Sequence, residues 1–197
     1  DRDHFAGLLG VAEKYEVGMV LYNGDAGDWY FDMLLAEFRA RGSKVTVFHQ
    51  GNALAFHGGV SMRFVWPPES YTGEDKNSRS LTALLSWQDS DFLFTGDMPQ
   101  REEEFMLRIE QLPPIEVLKV GHHGSSHSTG EKLLSAIRPV YCVISVGADN
   151  SYGHPAPAVI RRLADATCRV LETMRSGTIT LETDGFRVWE PLPHTAF

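Results

Sequence analysis

The segment Leu118-Lys-Val-Gly-His-His-Gly-Ser-Ser-His-Ser-Thr129 places three imidazoles and several small hydroxyl residues after an apolar run. Histidine is the commonest metal ligand among side chains, and adjacent histidines at a strand end can turn one ring towards a metal. The loop is therefore typical of a site that holds a metal or an anion. Two other stretches extend this interpretation, Phe94-Thr-Gly-Asp97 upstream and Asn150-Ser-Tyr-Gly-His-Pro155 downstream.

Segments of helical period alternate with short β-branched runs, which predicts a mixed α/β fold. We expect helices at residues 5–15, 28–42, 100–112, 131–137 and 156–166. We expect strands at residues 19–22, 44–48, 60–65, 80–87, 92–95, 117–120, 141–146, 170–172 and 178–182. The longest loop, from Pro67 to Arg79, is too short to link two domains, so a single domain over residues 1–197 is expected.

Composition narrows the class of protein. The 197 residues are 43% hydrophobic and 22% charged, which is enough to bury one sizeable core. No run approaches the ~18 apolar residues of a membrane span, and the Asp-Arg-Asp-His start is not that of a signal peptide, so we expect no direct insertion into a membrane. The net charge of −8 argues against a basic nucleic-acid surface, so bound cations would have to supply positive charge to a polyanionic substrate.

The two cysteines are too few and too far apart for a disulfide framework or a thiolate metal site. Cys142 lies in an apolar run, and Cys168 follows a helix-like stretch. We therefore expect both to be ordinary core or near-surface residues.

The residues capable of chemistry fall at the ends of predicted strands. In sheet-based folds, such residues gather on loops at one edge of the sheet, where we place Asp3-His4, Asp97, His122-His123 and His154. A carboxylate in the position of Asp97 can bridge two cations, and the alternative is that it caps the following helix. For His154 the alternative is an ordinary turn residue.

These stretches resemble the metallo-β-lactamase-fold hydrolases, and among them the ComEC group, the hydrolase domain of the bacterial DNA-uptake channel and its stand-alone relatives. The resemblance covers the chain from its first residue to about Gly185. It rests on Asp3-His4-Phe-Ala-Gly-Leu-Leu, Asn77-Ser-Arg-Ser-Leu, Thr95-Gly-Asp97, Val120-Gly-His-His-Gly-Ser and Tyr152-Gly-His-Pro. It implies an αββα sandwich with two metal ions at one edge of the paired sheets.

The first metal motif of this family is His-x-Asp-x-Asp-His, of which the chain shows Asp1-Arg2-Asp3-His4. The leading histidine would lie two residues before Asp1. From the resemblance we expect the chain to be an N-terminally truncated domain that lacks this histidine and the opening strands of the fold.

The resemblance also implies the metal ligands. Asp3 and His4 would bind the second metal, Asp97 would bridge the two metals, and His123 would complete the second site. His122 beside it would be a ligand or a substrate contact.

Other roles follow from the same resemblance. Asp1 or His154 would accept or donate the proton of hydrolysis, and the expected substrate contacts are Asn77, Ser80, Ser125 and His154. In many members of the wider fold a histidine ligand precedes the Thr-Gly-Asp strand, where this chain has residues 77–80. The first metal would then have more oxygen ligands, so the expected ion is either Zn²⁺ or Mn²⁺.

The hydroxyl residues of the histidine loop have two interpretations. They could donate to a phosphate, or Ser128 or Thr129 could cap the helix that follows, with Glu131 nearby. We regard the capping role as the more common one.

The implied reaction is hydrolysis by a water activated between two divalent ions. With ComEC-like motifs the substrate would be a phosphodiester, single-stranded DNA, and the site would lie on the outer side of the bacterial cytoplasmic membrane beside a DNA-uptake channel. Trp66, Trp87 and Tyr152 could stack bases, or could belong to the core.

Two rival functions stay open. The first is a hydrolase of the same fold acting on another ester, such as a phosphorylcholine ester or a lactone. The second is a non-catalytic module whose incomplete site holds a partner.

Overall fold

The computed structural model describes residues 2–73 and 75–191, without the side chains of Arg2 and Asp3. The helices are α1 (Arg2–Phe5), α2 (Leu8–Lys14), α3 (Trp29–Ala40), α4 (Gln100–Ile109), α5 (Glu131–Ile137), α6 (Pro157–Asp165) and α7 (Thr173–Ser176). The strands are β1 (Met19–Tyr22), β2 (Lys44–Val47), β3 (Ala53–Ala55), β4 (Ser61–Trp66), β5 (Thr82–Trp87), β6 (Ser90–Phe94), β7 (Val117–Lys119), β8 (Tyr141–Ile144), β9 (Arg169–Glu172), β10 (Glu182–Thr183) and β11 (Val188–Trp189). This confirms the α/β prediction.

A seven-stranded mixed sheet dominates the fold, with the strand order β3-β4-β5-β6-β7-β8-β9. The strands from β3 to β6 pair antiparallel, and those from β6 to β9 pair parallel. A separate two-stranded parallel sheet joins β1 to β2, and β10 and β11 form a short antiparallel pair. The parallel half has all its carboxyl ends at one edge, where ligand sites of α/β proteins lie.

One face of the large sheet carries the main core. Leu84, Leu93, Leu118, Cys142 and Val170 are register partners across five neighbouring strands, so they form one row on this face. Helices α4, α5 and α6 cover the row with buried apolar side chains, namely Met106, Leu133, Leu134, Ile137, Val159 and Leu163. Full burial of such side chains contributes roughly 1.5–3 kcal/mol each before entropy is counted.

A smaller core joins α2 and α3 to the two-stranded sheet through Ala12, Leu34 and Phe38. Helix α3 begins where the Asp28 carboxylate accepts hydrogen bonds from the backbone N–H groups of Tyr30 and Phe31. Such a cap satisfies N–H groups that have no partner within the helix. The amphipathic pattern predicted for residues 28–42 is therefore confirmed.

The other predicted helices are confirmed with ends within three residues, and the strands from 19–22 to 170–172 with ends within two. The predicted strand at residues 178–182 is wrong, because only Glu182 and Thr183 find a partner strand. Strand β3 was not predicted, since its three residues give too short an alternation to recognise.

The expectation for the cysteines is wrong, because Cys142 and Cys168 form a disulfide. Their Cα atoms lie 6.0 Å apart, since β8 pairs with β9 and Cys168 directly precedes β9. The 26-residue separation hid this proximity, because parallel neighbours in a sheet meet only after a crossover helix.

No helix in the described part of the chain is long and apolar enough to cross a membrane.

Candidate metal centre

The candidate site lies at the carboxyl ends of β6, β7 and β8, which are parallel neighbours in the large sheet. Asp97 follows β6, His122 and His123 follow β7, and His154 lies in the loop after β8. Helix α1 brings His4 to the same place from the opposite end of the sequence. The predicted convergence of these five residues at one sheet edge is confirmed.

Asp97 lies at the centre of the cluster. Its Oδ2 atom is 3.1 Å from His4 Nε2 and 3.6 Å from His122 Nε2, and its Oδ1 atom is 3.9 Å from His123 Nε2. His4 Nε2 and His123 Nε2 are 3.3 Å apart. Among the described residues, His4, Asp97 and His123 each offer one ligand atom within 4.8 Å of the others.

Two imidazoles and a carboxylate are a donor set that zinc takes in catalytic sites, and the carboxylate also suits manganese. The predicted ligands His4, Asp97 and His123 therefore fit a divalent ion, with His122 beside them. Asp1 and the side chain of Asp3, which were predicted as a proton acceptor and a ligand, lie outside the described residues.

The loop before Asp97 holds its backbone in place. The Asp97 N–H donates to Ser80 Oγ at 3.0 Å, and Gly96 has a φ of +58° that favours glycine. A Cβ on Gly96 would lie 3.0 Å from Ser80 Cβ, so the two loops touch. Helix α4 has Pro99 at its N-cap and no side-chain cap, which makes the alternative role of Asp97 as a helix cap wrong.

The histidines set the ionisation of Asp97. Burial by itself raises the pKa of the carboxyl, but the hydrogen bond from His4 and the charges of His4, His122 and His123 outweigh it, so the pKa is lowered. An ionised carboxylate is the form that binds a cation. Lys119 lies nearby, and burial lowers the pKa of its amine while Asp97 raises it.

The two adjacent histidines adopt an unusual backbone. His122 has a φ of 49° and His123 a φ of 53°, and both fall in the left-handed region that residues with a Cβ rarely adopt. Such conformations persist where surrounding contacts enforce them, and they cluster at functional sites. His123 Nδ1 lies 2.8 Å from the Ser145 carbonyl, which orients its Nε2 towards Asp97.

Helix α4 anchors the far side of the histidine loop. The Gln100 backbone N–H donates to the His127 carbonyl at 2.8 Å, and the Gln100 side chain donates to the Ser126 carbonyl. The Thr129 hydroxyl accepts from the Gly121 N–H at 2.9 Å and closes the loop. His127 is exposed and does not join the cluster.

Glu103 provides the cap that was assigned to Ser128 or Thr129. It is 1% exposed, and its two carboxylate oxygens accept from the backbone N–H groups of Thr129 at 2.6 Å and Gly130 at 2.8 Å. No side chain of the loop itself caps α5, so the capping prediction is wrong. The sequence carried no local signal for this contact, because Glu103 lies 26 residues away from Thr129.

The titration of Glu103 gives a testable pH dependence. Burial raises its pKa from the ordinary 4.5 to about 7, although the two N–H donors and the charge of Arg162 act in the opposite direction. The folded chain therefore holds this proton more tightly than the unfolded chain. The contribution of Glu103 to the free energy of unfolding is present below about pH 4.5 and is lost as the pH rises to about 7, by up to ~1.4 kcal/mol per pH unit.

The variant Glu103→Gln is expected to remove this dependence and to leave one N–H group unpaired, which costs about 1–3 kcal/mol. Urea unfolding of the wild type and the variant at several pH values between 4.5 and 7 checks it. The stability difference between them should shrink as the pH rises. Glu104→Gln, at a partly exposed neighbour, is the matched control and should follow the wild type. Parallel curves for the wild type and Glu103→Gln would contradict the assignment.

Close packing joins the histidine loop to the loop of His154. Gly124 has a φ of +85°, and a Cβ there would lie 2.7 Å from Pro155 Cβ. The Ala156 N–H donates to the Gly124 carbonyl at 2.9 Å. These contacts place the His154 ring 6.0 Å from the His122 ring, measured between centroids.

His154 lies in contact with the cluster but does not touch Asp97. Its Nδ1 atom is buried and has no hydrogen-bond partner among the described residues. Burial, followed by the charges of His122 and His123, lowers the pKa of its imidazole. A neutral imidazole at the edge of the site can accept a proton, as predicted for His154.

The predicted substrate contacts fall into two groups. Asn77 and Ser80 line a cleft of about 450 Å³ that opens next to Asp97 and His4. Ser125 is 4% exposed, and its Oγ lies 3.4 Å from the His127 backbone nitrogen, so it faces the loop rather than the cleft. Its role as a substrate contact stays a prediction.

The cleft also has an apolar wall that the sequence did not indicate. Leu8, Leu21, Tyr22 and Phe31 line it, together with carboxylates of the loop after β1. This wall comes from α2, β1 and α3, so it depends on the packing of the two-stranded sheet unit near the large sheet.

The fold and the site together describe an α/β protein with a cluster of His and Asp side chains at one edge of its sheet. No known protein-family model matches the chain. The chain is similar to curated proteins: it is 29% identical to ComE operon protein 3 of Bacillus subtilis over 181 residues, which are 91% of this chain and 23% of that protein.

Two further relatives match a shorter part of the chain. Recombination protein 2 of Haemophilus influenzae is 36% identical over 121 residues, which are 61% of this chain and 15% of that protein. Competence protein ComA of Neisseria gonorrhoeae is 33% identical over 122 residues, or 61% of this chain and 18% of that protein. The chain thus spans less than a quarter of the length of each of these relatives.

Proposed function

We propose that this chain is a metal-dependent hydrolase that cleaves phosphodiester bonds of single-stranded DNA in a competence system. The observation that carries the proposal is the convergence of His4, Asp97 and His123 within 4.8 Å at the carboxyl edge of the parallel strands. The similarity to competence proteins supports the biological context. The metallo-β-lactamase type of the fold belongs to the same proposal.

The proposal assigns metal binding to the residues of the cluster. His4, Asp97 and His123 would hold divalent cations, Zn²⁺ or Mn²⁺, and Asp3 would complete the set. Bound there, two such ions would lower the pKa of a water and stabilise charge on the phosphate oxygens. The His123 ring is held by the Ser145 carbonyl, so it keeps one fixed orientation towards the ions.

His154 and Asp1 are proposed to move the proton. The neutral His154 imidazole faces the His122 ring, and its buried Nδ1 atom has no hydrogen-bond partner in the described part of the chain. The ring can therefore take up a proton at the edge of the site and return it. Asn77 is proposed to contact the substrate from the wall of the cleft. The two ions also offset the net charge of −8 where a phosphate would bind.

The disulfide supports a location outside the cytoplasm. Disulfides form and persist in oxidising environments and are rare in the cytosol of mesophiles. Cys142 and Cys168 are bonded inside the core of the large sheet. We therefore propose the outer side of the cytoplasmic membrane, next to a DNA-uptake channel, as the place where the domain acts.

The apolar cleft favours one second candidate. Tyr22 and Phe31, whose ring centroids lie 5.9 Å apart, line this cleft together with Asp25 and Asp28. Aromatic rings and carboxylates are the groups that bind a quaternary ammonium ion. A phosphorylcholine esterase with the same metal centre is therefore the alternative. A partner-binding module without catalysis is the remaining one.

Hydrolysis assays on the purified, folded chain test the proposal. The chain is stripped of metal with a chelator and then loaded with Zn²⁺ or Mn²⁺ before labelled single-stranded DNA, duplex DNA or p-nitrophenyl phosphorylcholine is added. We expect cleavage of single-stranded DNA only after metal loading. Turnover of the choline ester alone would favour the second candidate, and metal binding without turnover of any substrate would favour a binding role.

A further inference from the structure

We propose that the exposed ring of Tyr152 is a stacking platform for a nucleobase of the DNA strand whose phosphate lies at the metal centre. This inference rests on the proposed function and adds the contact through which the site prefers single strands. Base stacking on an aromatic ring contributes about 1–3 kcal/mol per base, and it requires a base that is not paired in a duplex.

The position of Tyr152 relative to the site carries the inference. Tyr152 is 80% exposed, yet its ring stacks on the His154 ring. The two ring centroids lie 5.9 Å apart, and the ring planes differ by 19°. His154 in turn contacts His122, whose Nε2 lies 3.6 Å from Asp97. Two ring contacts therefore connect the open face of Tyr152 to the metal ligands.

Hydrogen bonds of Asn150 tie together the two ends of the loop that presents Tyr152. The Asn150 amide donates to the carbonyls of Gly147 at 2.9 Å and His154 at 2.7 Å, and Asn150 Oδ1 accepts from the His154 N–H. Gly153 turns the chain with a φ of +69°. An aromatic ring on such a loop loses little conformational entropy when a base stacks on it.

The other aromatic residues suggested by the sequence do not offer an open face of this kind. Trp66 is completely buried, and its indole N–H donates to the Ser78 carbonyl. Trp87 is half-buried, and its indole N–H donates to the Gly58 carbonyl. Exposure therefore distinguishes Tyr152 from the two tryptophans, a difference that the sequence did not reveal.

Two cationic side chains near the site are already paired within the protein, which favours a contribution from stacking to DNA binding. Arg79 pairs with Asp25 at 2.7 Å, and Arg162 donates to the Ser126 carbonyl at 2.9 Å. These cationic side chains near the site are already engaged in contacts that hold loops together. Stacking would add a contact that carries no charge to the attraction between the metal ions and the phosphates of a DNA strand.

A cycle of protein and DNA changes tests the platform. Binding of a fluorescein-labelled oligothymidylate to the metal-loaded chain is compared, by anisotropy, with binding of a set of oligonucleotides that carry one abasic position each. We expect one abasic position to weaken binding by about 5- to 100-fold in the wild type. Tyr152→Ala should weaken binding of the intact strand by the same factor as that abasic position does in the wild type. In the variant, the abasic position should then cause no further loss of binding.

The controls separate stacking from other effects. Tyr152→Phe and Tyr152→Trp keep a ring and should keep wild-type binding, whereas Tyr152→Leu keeps apolar volume and should lose most of it. Tyr15→Ala removes another exposed tyrosine, at the C-terminal end of α2, and should change nothing. An unchanged melting temperature shows that the variants are folded.

Two results would overturn the proposal in distinguishable ways. If the wild type binds and cleaves the oligonucleotide but Tyr152→Ala behaves identically at every abasic position, stacking is wrong and the hydrolase function stands. If the metal-loaded wild type neither binds nor cleaves single-stranded DNA, the proposed function fails, and the platform fails with it.

Discussion

Asp97→Asn is expected to lower the rate of metal-dependent hydrolysis by about 10³-fold or more and to weaken binding of the divalent ions. The change keeps the size of the side chain and removes its negative charge. Asp97 is 7% exposed and lies within 3.9 Å of ring nitrogens of His4, His122 and His123. Loss of about 4 kcal/mol of charge stabilisation in such a site corresponds to a thousandfold in rate.

The effect is expected to be chemical rather than structural. The contact that positions Asp97, from its backbone N–H to Ser80 Oγ, does not involve the carboxylate and remains in the variant. Calorimetric titration with Zn²⁺ and Mn²⁺ measures ion binding, and the labelled-DNA assay measures the rate. Circular dichroism should show an unchanged fold.

Asp89→Asn provides the matched control. Asp89 is exposed in the turn between β5 and β6, at the opposite end of β6 from Asp97. The same chemical change there should leave ion binding and hydrolysis at wild-type values. If Asp97→Asn kept both, the carboxylate would not be the centre of the site, and the metal-dependent mechanism would have to be abandoned.

Reduction of the Cys142–Cys168 disulfide is expected to lower the free energy of unfolding by about 2–4 kcal/mol. The bond closes a loop of 26 residues, and the loop-closure entropy of the unfolded chain accounts for a loss of this size. Both cysteines are buried, at 0% and 7% exposure, so the thiols would remain in the core after reduction.

The position of the disulfide also links stability to the candidate site. The closed loop contains β8, helix α6 and the segment that presents Tyr152 and His154. Guanidinium unfolding with and without a thiol reductant measures the change. Counting of free thiols in the unfolded protein shows whether the bond is present beforehand.

The double variant Cys142→Ala and Cys168→Ala should be less stable than the oxidised wild type and should not respond to reductant. This insensitivity separates the effect of the bond from a general effect of the reductant. A wild type with two free thiols and no response would show that the bond does not form, which would also remove the support for a location outside the cytoplasm.

Much of the candidate site could be predicted from local sequence because its residues follow strands. Asp97, His122-His123 and His154 each come after an apolar run, and the edge rule for parallel strands then brings them together. His4 was placed at the same edge, and the family resemblance gave it the role of a metal ligand. Its 3.1 Å approach to Asp97 connects residues 93 positions apart, which no local pattern reveals.

What the sequence missed depends on contacts between distant segments. Glu103 was predicted only as part of the helix at residues 100–112, and it is a buried acceptor for two backbone N–H groups of the histidine loop. Neither residue type nor spacing predicted this contact. The apolar wall of the cleft has the same origin, since it depends on how α2, β1 and α3 pack near the large sheet.

Local sequence patterns were sufficient to predict the alternation of helices and strands and the edge of the sheet at which His122, His123 and Asp97 lie. Hydrophobic periodicity, the positions of glycines and the ends of strands depend on a few neighbouring residues, so they can be read from the linear sequence. These patterns did not show that Cys142 bonds to Cys168 or that Tyr152, unlike Trp66, keeps an open face, and both facts became visible in the folded chain. Burial and pairing depend on neighbours that the chain brings together after folding, and a linear pattern does not contain them.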